Sequence, residues 1–330
     1  MLILAKAAMS MMIGFILAIV CGLILLPLLK KLKLRQKVSL TLGERHLSKD
    51  GTLTMGGFIF IIPTVLTLLI LWFRGSIEFN HNLIILVFVF VAYGLLGFAD
   101  DFVKIKLKNN KGLSIPTKFV AQTAIALVFF FIFMKNGGEP TLAITSLNIV
   151  IPMGWLFGVF ILFLLVGTSN AVNITDGVDG LAGGLAAIAY LAFGLIAWNT
   201  GWMEGYQEVA IFCFILVGSL LGFLVFNSNP AKIFMGDIGS LALGGGLATI
   251  AIITRHELSL ALVGGVFVIE TLSSLIQIIA IRRFKRKVFL MAPLHHHFEK
   301  LGWAERDIVR LFYIAGLLLA MAAVTYGVWI

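Results

Sequence analysis

Ten apolar segments, each near the length that crosses a lipid bilayer, constrain the fold of this 330-residue chain more than any other feature. They cover residues 7–29, 55–73, 83–99, 118–135, 155–173, 180–198, 209–226, 238–253, 258–281 and 311–330. A helix needs about 20 apolar residues to cross a hydrocarbon core of about 30 Å. With 60% hydrophobic and 12% charged residues, the pattern predicts an all-α integral membrane protein. We expect ten transmembrane helices in a single polytopic domain over residues 1–330.

The distribution of positive charge predicts the orientation of these helices. Of the 25 Lys and Arg residues, 21 lie in or beside alternate loops, at about residues 30–54, 100–117, 174–179, 227–237 and 282–310. Cytoplasmic loops of membrane proteins carry an excess of Lys and Arg, so both termini are expected on the extracytoplasmic side. The Lys and Arg residues behind the net charge of +9 then set the topology and contact anionic headgroups. Alternatively, some of them bind substrate phosphates. Neither reading involves nucleic acid.

Five aspartates lie where the predicted cytoplasmic loops meet apolar segments: Asp100, Asp101, Asp176, Asp179 and Asp237. A charge at the bilayer centre costs about 2.5 to 3.5 kcal/mol, so the five acids predict a wet pocket that contains cations. Oxygen ligands of this kind suit Mg²⁺, which is held by one or two carboxylates together with substrate phosphates. Single acids could instead cap helices, and Asp100 could pair with Lys104. We expect Asp176 and Asp179 on one face at the start of the sixth helix.

Two further polar features lie in the last third of the chain. Three histidines, His295 to His297, are consecutive. They are interpreted as a hydrogen-bonded surface cluster, as a metal-binding tract, or as a group that binds diphosphate or donates a proton. Residue type alone does not distinguish these alternatives. Glu270 lies within the ninth apolar segment, and we interpret it as a polar link between helices, far from the cytoplasmic acids. Gln277 is seven residues later on the same face and nearer to them.

Several motifs together resemble one family. They are Gly43–Leu47 (GERHL), Gly51–Gly57 (GTLTMGG), Ala99–Asp101 (ADD), Asn173–Leu181 (NITDGVDGL), Phe234–Asp237 (FMGD) and Met291–Glu299 (MAPLHHHFE). Their order and spacing are similar to those of the phospho-N-acetylmuramoyl-pentapeptide transferases, also called translocase I, within the superfamily of polyprenyl-phosphate N-acetylhexosamine-1-phosphate transferases. Leu53 departs from the pattern, because that family usually has proline there.

The resemblance implies an activity and a location. The expected reaction transfers phospho-N-acetylmuramoyl-pentapeptide from UDP-N-acetylmuramoyl-pentapeptide to undecaprenyl phosphate, with Mg²⁺ as cofactor and with lipid I and UMP as products. The expected location is the bacterial cytoplasmic membrane, as a multi-pass protein in contact with membrane lipid and with its catalytic cleft on the cytoplasmic face. A homodimer is also suggested by the resemblance. A single in-line displacement is preferred over an aspartyl-phosphate intermediate.

The resemblance also implies roles for individual residues. The catalytic residues would be Asp100, Asp101, Asp237 and His296, with Asp237 as the principal Mg²⁺ ligand. The substrate pocket would be lined by Lys49, Thr54, Lys104, Lys118, Asn173, Asp176, Asp179, Asn227, Phe234, Gln277, His295 and His297. Two alternatives are a sibling enzyme that transfers N-acetylglucosamine-1-phosphate to the same lipid, and an ion-coupled transporter, whose coupling acids would lie near the membrane midplane.

Overall fold

The computed structural model describes residues 2–32, 51–107, 112–144, 149–199 and 206–329. These residues form mostly helices, with one short hairpin. The elements are α1 (Leu2–Lys31), α2 (Phe58–Phe73), α3 (His81–Leu107), α4 (Ile115–Lys135), β1 (Thr141–Ile144), β2 (Ile149–Pro152), α5 (Leu156–Thr175), α6 (Leu181–Asn199), α7 (Tyr206–Asn227), α8 (Gly236–Ile253), α9 (Glu257–Val263), α10 (Gly265–Phe284), α11 (Leu294–Lys300) and α12 (Glu305–Trp329).

Nine of the helices in the described ranges are long and apolar enough to cross a membrane. The helix α2 is equally apolar but has 16 residues; it corresponds to the second predicted segment. The ninth predicted segment, 258–281, is divided into α9 and α10 at Gly264. The helical membrane architecture is therefore confirmed, while its expected single ninth helix is wrong. Glycine in a helix interior lowers helix stability by roughly 1 kcal/mol relative to alanine. This agrees with a break at Gly264.

The hairpin is the part of the described fold that an all-helical prediction missed. Strand β1 pairs antiparallel with β2 in the register Thr141↔Pro152, Leu142↔Ile151, Ala143↔Val150 and Ile144↔Ile149. The second strand contains the β-branched run Ile149–Ile151, which favours an extended backbone. Arg255, just after α8, donates to Thr141 Oγ1 at 2.6 Å. The hairpin therefore lies at the end of α8 opposite to Asp237.

The centre of the bundle is built around α8. Every residue from Ile238 to Ile253 is buried, and α3, α5 and α8 pack closely. A Cβ on Gly244 would collide with the backbone of Ser169 in α5, so this glycine permits the close helix contact. By contrast α1, α4 and α12 expose many large apolar side chains. Such outward apolar faces are expected of helices that contact lipid.

Candidate active site

Three carboxylates meet where the end of α3 crosses the start of α8. Asp100 and Asp101 lie in the last two turns of α3, and Asp237 lies in the first turn of α8. One oxygen from each acid lies within 4.8 Å of the others. Asp100 and Asp101 are buried, and the side chain of Asp237 is 13% exposed. A carboxylate in the first turn of a helix is also favoured by the helix dipole.

Glycines make this crossing possible. A Cβ on Gly97 would collide with the carbonyl oxygen of Asp237, and a Cβ on Gly236 would collide with the carboxylate of Asp101. Gly236 also has φ +75°, a conformation that is costly for residues with a side chain. The backbone of α8 can therefore approach α3 closely enough for the three acids to share one centre.

Two lysines neutralise the centre. The Nζ of Lys104 lies 2.7 Å from Asp100 Oδ2, 3.5 Å from Asp101 Oδ1 and 2.9 Å from Asp237 Oδ1. The Nζ of Lys118, from α4, lies 3.1 Å from Asp100 Oδ1 and 2.9 Å from Asp237 Oδ2. The expected pairing of Asp100 with Lys104 is present, but each lysine bridges several acids. Unpaired carboxylates at such burial would be strongly disfavoured.

Backbone N–H groups fix the orientation of two of these acids. The backbone of Leu113 donates to Asp100 Oδ1 at 2.7 Å, and that of Ile238 donates to Asp101 Oδ2 at 3.2 Å. The centre is thus a rigid set of oxygen atoms of the kind that binds hard divalent cations.

Asp176 and Asp179 lie in a turn over residues 176–180, here called the aspartate turn. Their predicted place on one helix face is therefore wrong. Asp176 caps the C-terminus of α5, and α6 begins only at Leu181. The helical path ends at Asp176 itself, which has ψ 49°, and Gly180 adopts φ +81° just before α6 begins. Burial, followed by the negative charge of Asp237, raises the pKa of Asp176 to about 7. The turn therefore lies close enough to the carboxylate centre to share its electrostatic field.

Neighbouring chain segments brace this turn. Asp179 Oδ2 accepts from Asn229 Nδ2 and from the backbone of Ala231, both at 3.1 Å. The same Asn229 amide donates to Glu305 Oε2 of α12 at 2.9 Å. The hydroxyl of Tyr313, also in α12, donates to Gly180 O at 2.7 Å. These contacts set the position of the turn relative to the bundle.

Most of the expected substrate-pocket residues described by the structure line the same region. Asn227 accepts from Gly180 N at 3.1 Å and donates to Ile233 O at 2.9 Å, so its amide links the turn to the strand-like segment before α8. Asn173 donates to Ser240 Oγ at 2.8 Å. Thr54 is buried beside Gly236, and Phe234 is half-buried, with its N–H donating to Leu53 O at 2.8 Å. The departure from proline at Leu53 therefore falls within a backbone pairing, Leu53 with Ile233.

The three histidines have different surroundings. His295 is fully buried, and its Nδ1 lies 2.8 Å from Glu270 Oε2 while its N–H donates to Glu270 Oε1 at 3.1 Å. Its Nε2 faces Gly177, where a Cβ would collide with the ring. His296 Nδ1 lies 2.6 Å from Glu299 Oε2, and His297 Nδ1 accepts from Leu290 N at 3.1 Å. The ring of His295 is therefore packed against the aspartate turn at Gly177.

Glu270 was expected far from the predicted site because of its mid-segment position. That prediction is wrong, because Glu270 contacts His295. The segment after α10 folds back along that helix and brings α11 beside Glu270. Gln277 holds the returning segment, because its Oε1 accepts from Val288 N and Phe289 N, both at 3.0 Å, and its Nε2 donates to Phe289 O at 2.8 Å. The amide of Gln277 thus contacts backbone in this structure.

Comparison with known proteins agrees with this arrangement. A family model described as Glycosyl transferase family 4 matches residues 83–255. The chain is 44% identical over 321 residues to a phospho-N-acetylmuramoyl-pentapeptide-transferase of Bacillus licheniformis, covering 97% of this chain and 98% of the relative. Proteins with the same name from Geobacillus kaustophilus and Bacillus subtilis are 45% and 43% identical over 321 residues, covering 97% of this chain and 97% and 98% of the relatives. The chain belongs to the phospho-N-acetylmuramoyl-pentapeptide transferase family.

Some predicted parts of this transferase are not described by the structure, and three residues of the site were not predicted. Lys49 and the motif at Gly43–Leu47 lie outside the described residues. Glu270, Asn229 and Tyr313 were not predicted as parts of the site. For Glu270 a signal existed, because an acid within a membrane segment is a functional hypothesis by default. Asn229 and Tyr313 have ordinary sequence surroundings, so their bracing role is visible only in the fold.

Proposed function

We propose that this protein transfers phospho-N-acetylmuramoyl-pentapeptide from UDP-N-acetylmuramoyl-pentapeptide to undecaprenyl phosphate, yielding lipid I and UMP, in the bacterial cytoplasmic membrane. The observation that carries the proposal is the nearly full-length identity of 44% to a transferase of that name. The carboxylate centre at the ends of two membrane helices supports it. One substrate is a lipid and the other a charged, water-soluble nucleotide, so the reaction requires a site at a membrane face.

The orientation is part of this proposal. The carboxylate centre opens to the cytoplasm, since the loops on that side contain 21 of the 25 Lys and Arg residues. The helix α2 serves as the second of ten spans, and both termini are extracytoplasmic. Cysteines placed beside Asp101 and beside the hairpin would test this in intact cells. Labelling by a membrane-impermeant maleimide at the hairpin alone supports the orientation, and labelling near Asp101 refutes it.

The residues of the centre fit a Mg²⁺ ion, given their three converging carboxylates and the preference of Mg²⁺ for oxygen ligands. Asp237, assisted by Asp100 and Asp101, would hold it, and when bound it would neutralise the charge of the donor diphosphate. Asp237 suits this role because it is the most exposed of the three acids.

The chain's own side chains would supply most of the positioning. Phosphoryl transfer depends chiefly on positioning and charge neutralisation, which Lys104 and Lys118 provide for the phosphates of both substrates. Asp100 and Asp101 orient the acceptor phosphate. A phosphate monoester has a second pKa near 6 and is mostly a dianion at neutral pH, so no general base is required. We therefore favour a single in-line displacement.

The aspartate turn and the histidines complete the donor pocket in this proposal. Asp176, Asp179, Asn173, Asn227 and Phe234 would contact the uridine and sugar phosphate, with Thr54, Gln277 and Lys49 at the edge. His295, His296 and His297 would contact the diphosphate or the muramoyl group. The close approach of His295 to Gly177 supports a pocket shared by the turn and α11. The ion-coupled transporter is disfavoured because the acids gather at helix ends, and Glu270 is occupied by His295.

The decisive experiment uses the purified full-length protein with undecaprenyl phosphate, Mg²⁺ and UDP-N-acetylmuramoyl-pentapeptide. UMP release that requires both the lipid acceptor and this donor supports the proposal. UDP-N-acetylglucosamine in place of the donor tests the sibling activity. Absence of UMP release with active substrates and folded protein would end the proposal, and release from UDP-N-acetylglucosamine alone would transfer it to the sibling reaction.

A further inference from the structure

We propose that Lys104 and Lys118 are resident counter-ions that occupy the cation position of the carboxylate centre, and that a divalent metal ion must displace them when it binds. The displaced ammonium groups then become available to the phosphates of the substrates. This inference rests on the proposed function for the identity of the metal and the phosphates. It concerns a step that precedes chemistry, the loading of the centre.

The contacts of the two lysines carry the argument. Lys104 contacts one oxygen of each of the three acids, and Lys118 contacts the second oxygen of Asp237 and the other oxygen of Asp100. Both carboxylate oxygens of Asp237 are therefore paired with an ammonium group at 2.9 Å. A carboxylate has about four lone-pair sites, so these contacts do not block Asp237, but a metal ion on either of its oxygens would lie directly beside an ammonium group.

Charge and exposure favour exchange over coexistence. Three carboxylates face two ammonium groups, so the centre is nearly neutral before any metal enters. A divalent ion added among two ammonium groups would be repelled by both at short range. The side chains of Lys104 and Lys118 are 25% and 27% exposed, and a lysine stem is long and flexible. The ammonium groups can therefore move outward while their stems stay attached to α3 and α4.

The first test measures metal affinity in the absence of substrates. Manganese(II) binding to Lys118→Met is followed by electron paramagnetic resonance and compared with Lys106→Met, which removes an exposed lysine from the same helix as Lys104. We expect Lys118→Met to bind manganese at least roughly tenfold more tightly, given the repulsion removed at this distance, and Lys106→Met to match the unmodified protein. Equal or weaker binding by Lys118→Met would overturn the inference.

The second test needs no variant and observes displacement directly. The unmodified protein is acylated briefly with a water-soluble N-hydroxysuccinimide ester at increasing Mg²⁺ concentration, and each lysine is quantified by mass spectrometry. We expect the labelling of Lys104 and Lys118 to rise several-fold with Mg²⁺, while Lys106 stays constant as an internal reference. Labelling that stays constant or falls for both lysines refutes the exchange. Neither test includes a substrate, so a failure of the UMP assay would count against the proposed function alone.

Discussion

The pair formed by Glu270 and His295 gives the sharpest prediction for the proposed reaction. Both side chains are fully buried, and both oxygens of Glu270 accept from His295, from Nδ1 at 2.8 Å and from the backbone N–H at 3.1 Å. The carboxylate therefore holds the ring with Nε2 directed at the aspartate turn. In Glu270→Gln the shape is kept, but an amide N–H₂ must face one of two donors.

The magnitude follows from the contacts. A hydrogen bond to a charged group contributes about 1.5 to 3 kcal/mol, and water cannot replace the lost carboxylate oxygen at this buried position. Since about 1.4 kcal/mol corresponds to a factor of ten in rate, Glu270→Gln should lower kcat/KM for the donor roughly 10- to 150-fold. The protein should remain folded, because a loss of about 1.5 to 3 kcal/mol is smaller than a typical unfolding free energy of about 5 to 15 kcal/mol.

The assay is UMP release by purified variants, combined with a double-mutant cycle. If Glu270 acts through His295, the double variant Glu270→Gln/His295→Ala should be no slower than His295→Ala alone. Glu208→Gln is the matched control, because Glu208 also accepts from a side chain, Asn80 Nδ2 at 2.9 Å, at the far end of α7; it should retain unmodified kinetics. Additive losses in the double variant, or full activity of Glu270→Gln, would refute a positioning role.

Three further predictions concern the centre and its turn. Asp237→Asn should abolish UMP release and weaken manganese binding, and wild-type turnover would contradict the metal assignment. Gly97→Ala should destabilise the fold by about 1 to 3 kcal/mol through overpacking against Asp237 O, measured as a lower unfolding temperature, whereas an unchanged temperature would show that α3 and α8 can separate. The raised pKa of Asp176, about 7 against 3.8, means that the folded chain binds the extra proton, so this group's contribution to stability falls as pH rises from about 4 to 7. In chelator, Asp176→Asn should therefore unfold at a less pH-dependent temperature, and an unaltered pH profile would contradict this.

The membrane fold and the acid cluster were predictable because their signals are local. Long uncharged segments report helices directly, and acids at the segment ends on one side imply a shared pocket, which the structure forms from Asp100, Asp101 and Asp237. The break at Gly264 was not predicted, since the apolar pattern continues through it. The hairpin was also not predicted, because its two short apolar strands lie between segments that were already assigned as helices.

The detailed site depends on tertiary contacts that local patterns do not contain. Glu270 and His295 are 25 residues apart, and their meeting requires the segment held by Gln277 to fold back along α10. The aspartate turn was misread as helix because Asp176 and Asp179 have helical spacing, whereas α5 ends at Thr175 and Asp176 already leaves the helical conformation with ψ 49°. Spacing also could not show that Lys118 of α4 reaches Asp237 of α8.

The contacts of Tyr313 and Glu305 have a consequence for biogenesis. Tyr313 holds Gly180, and Glu305 accepts from the Asn229 amide that also binds Asp179. Both residues belong to α12, whereas the turn they hold is synthesised more than a hundred residues earlier. Since folding during synthesis proceeds from the N-terminal side, the turn gains these two contacts only after α12 has been made, however early its own residues are inserted.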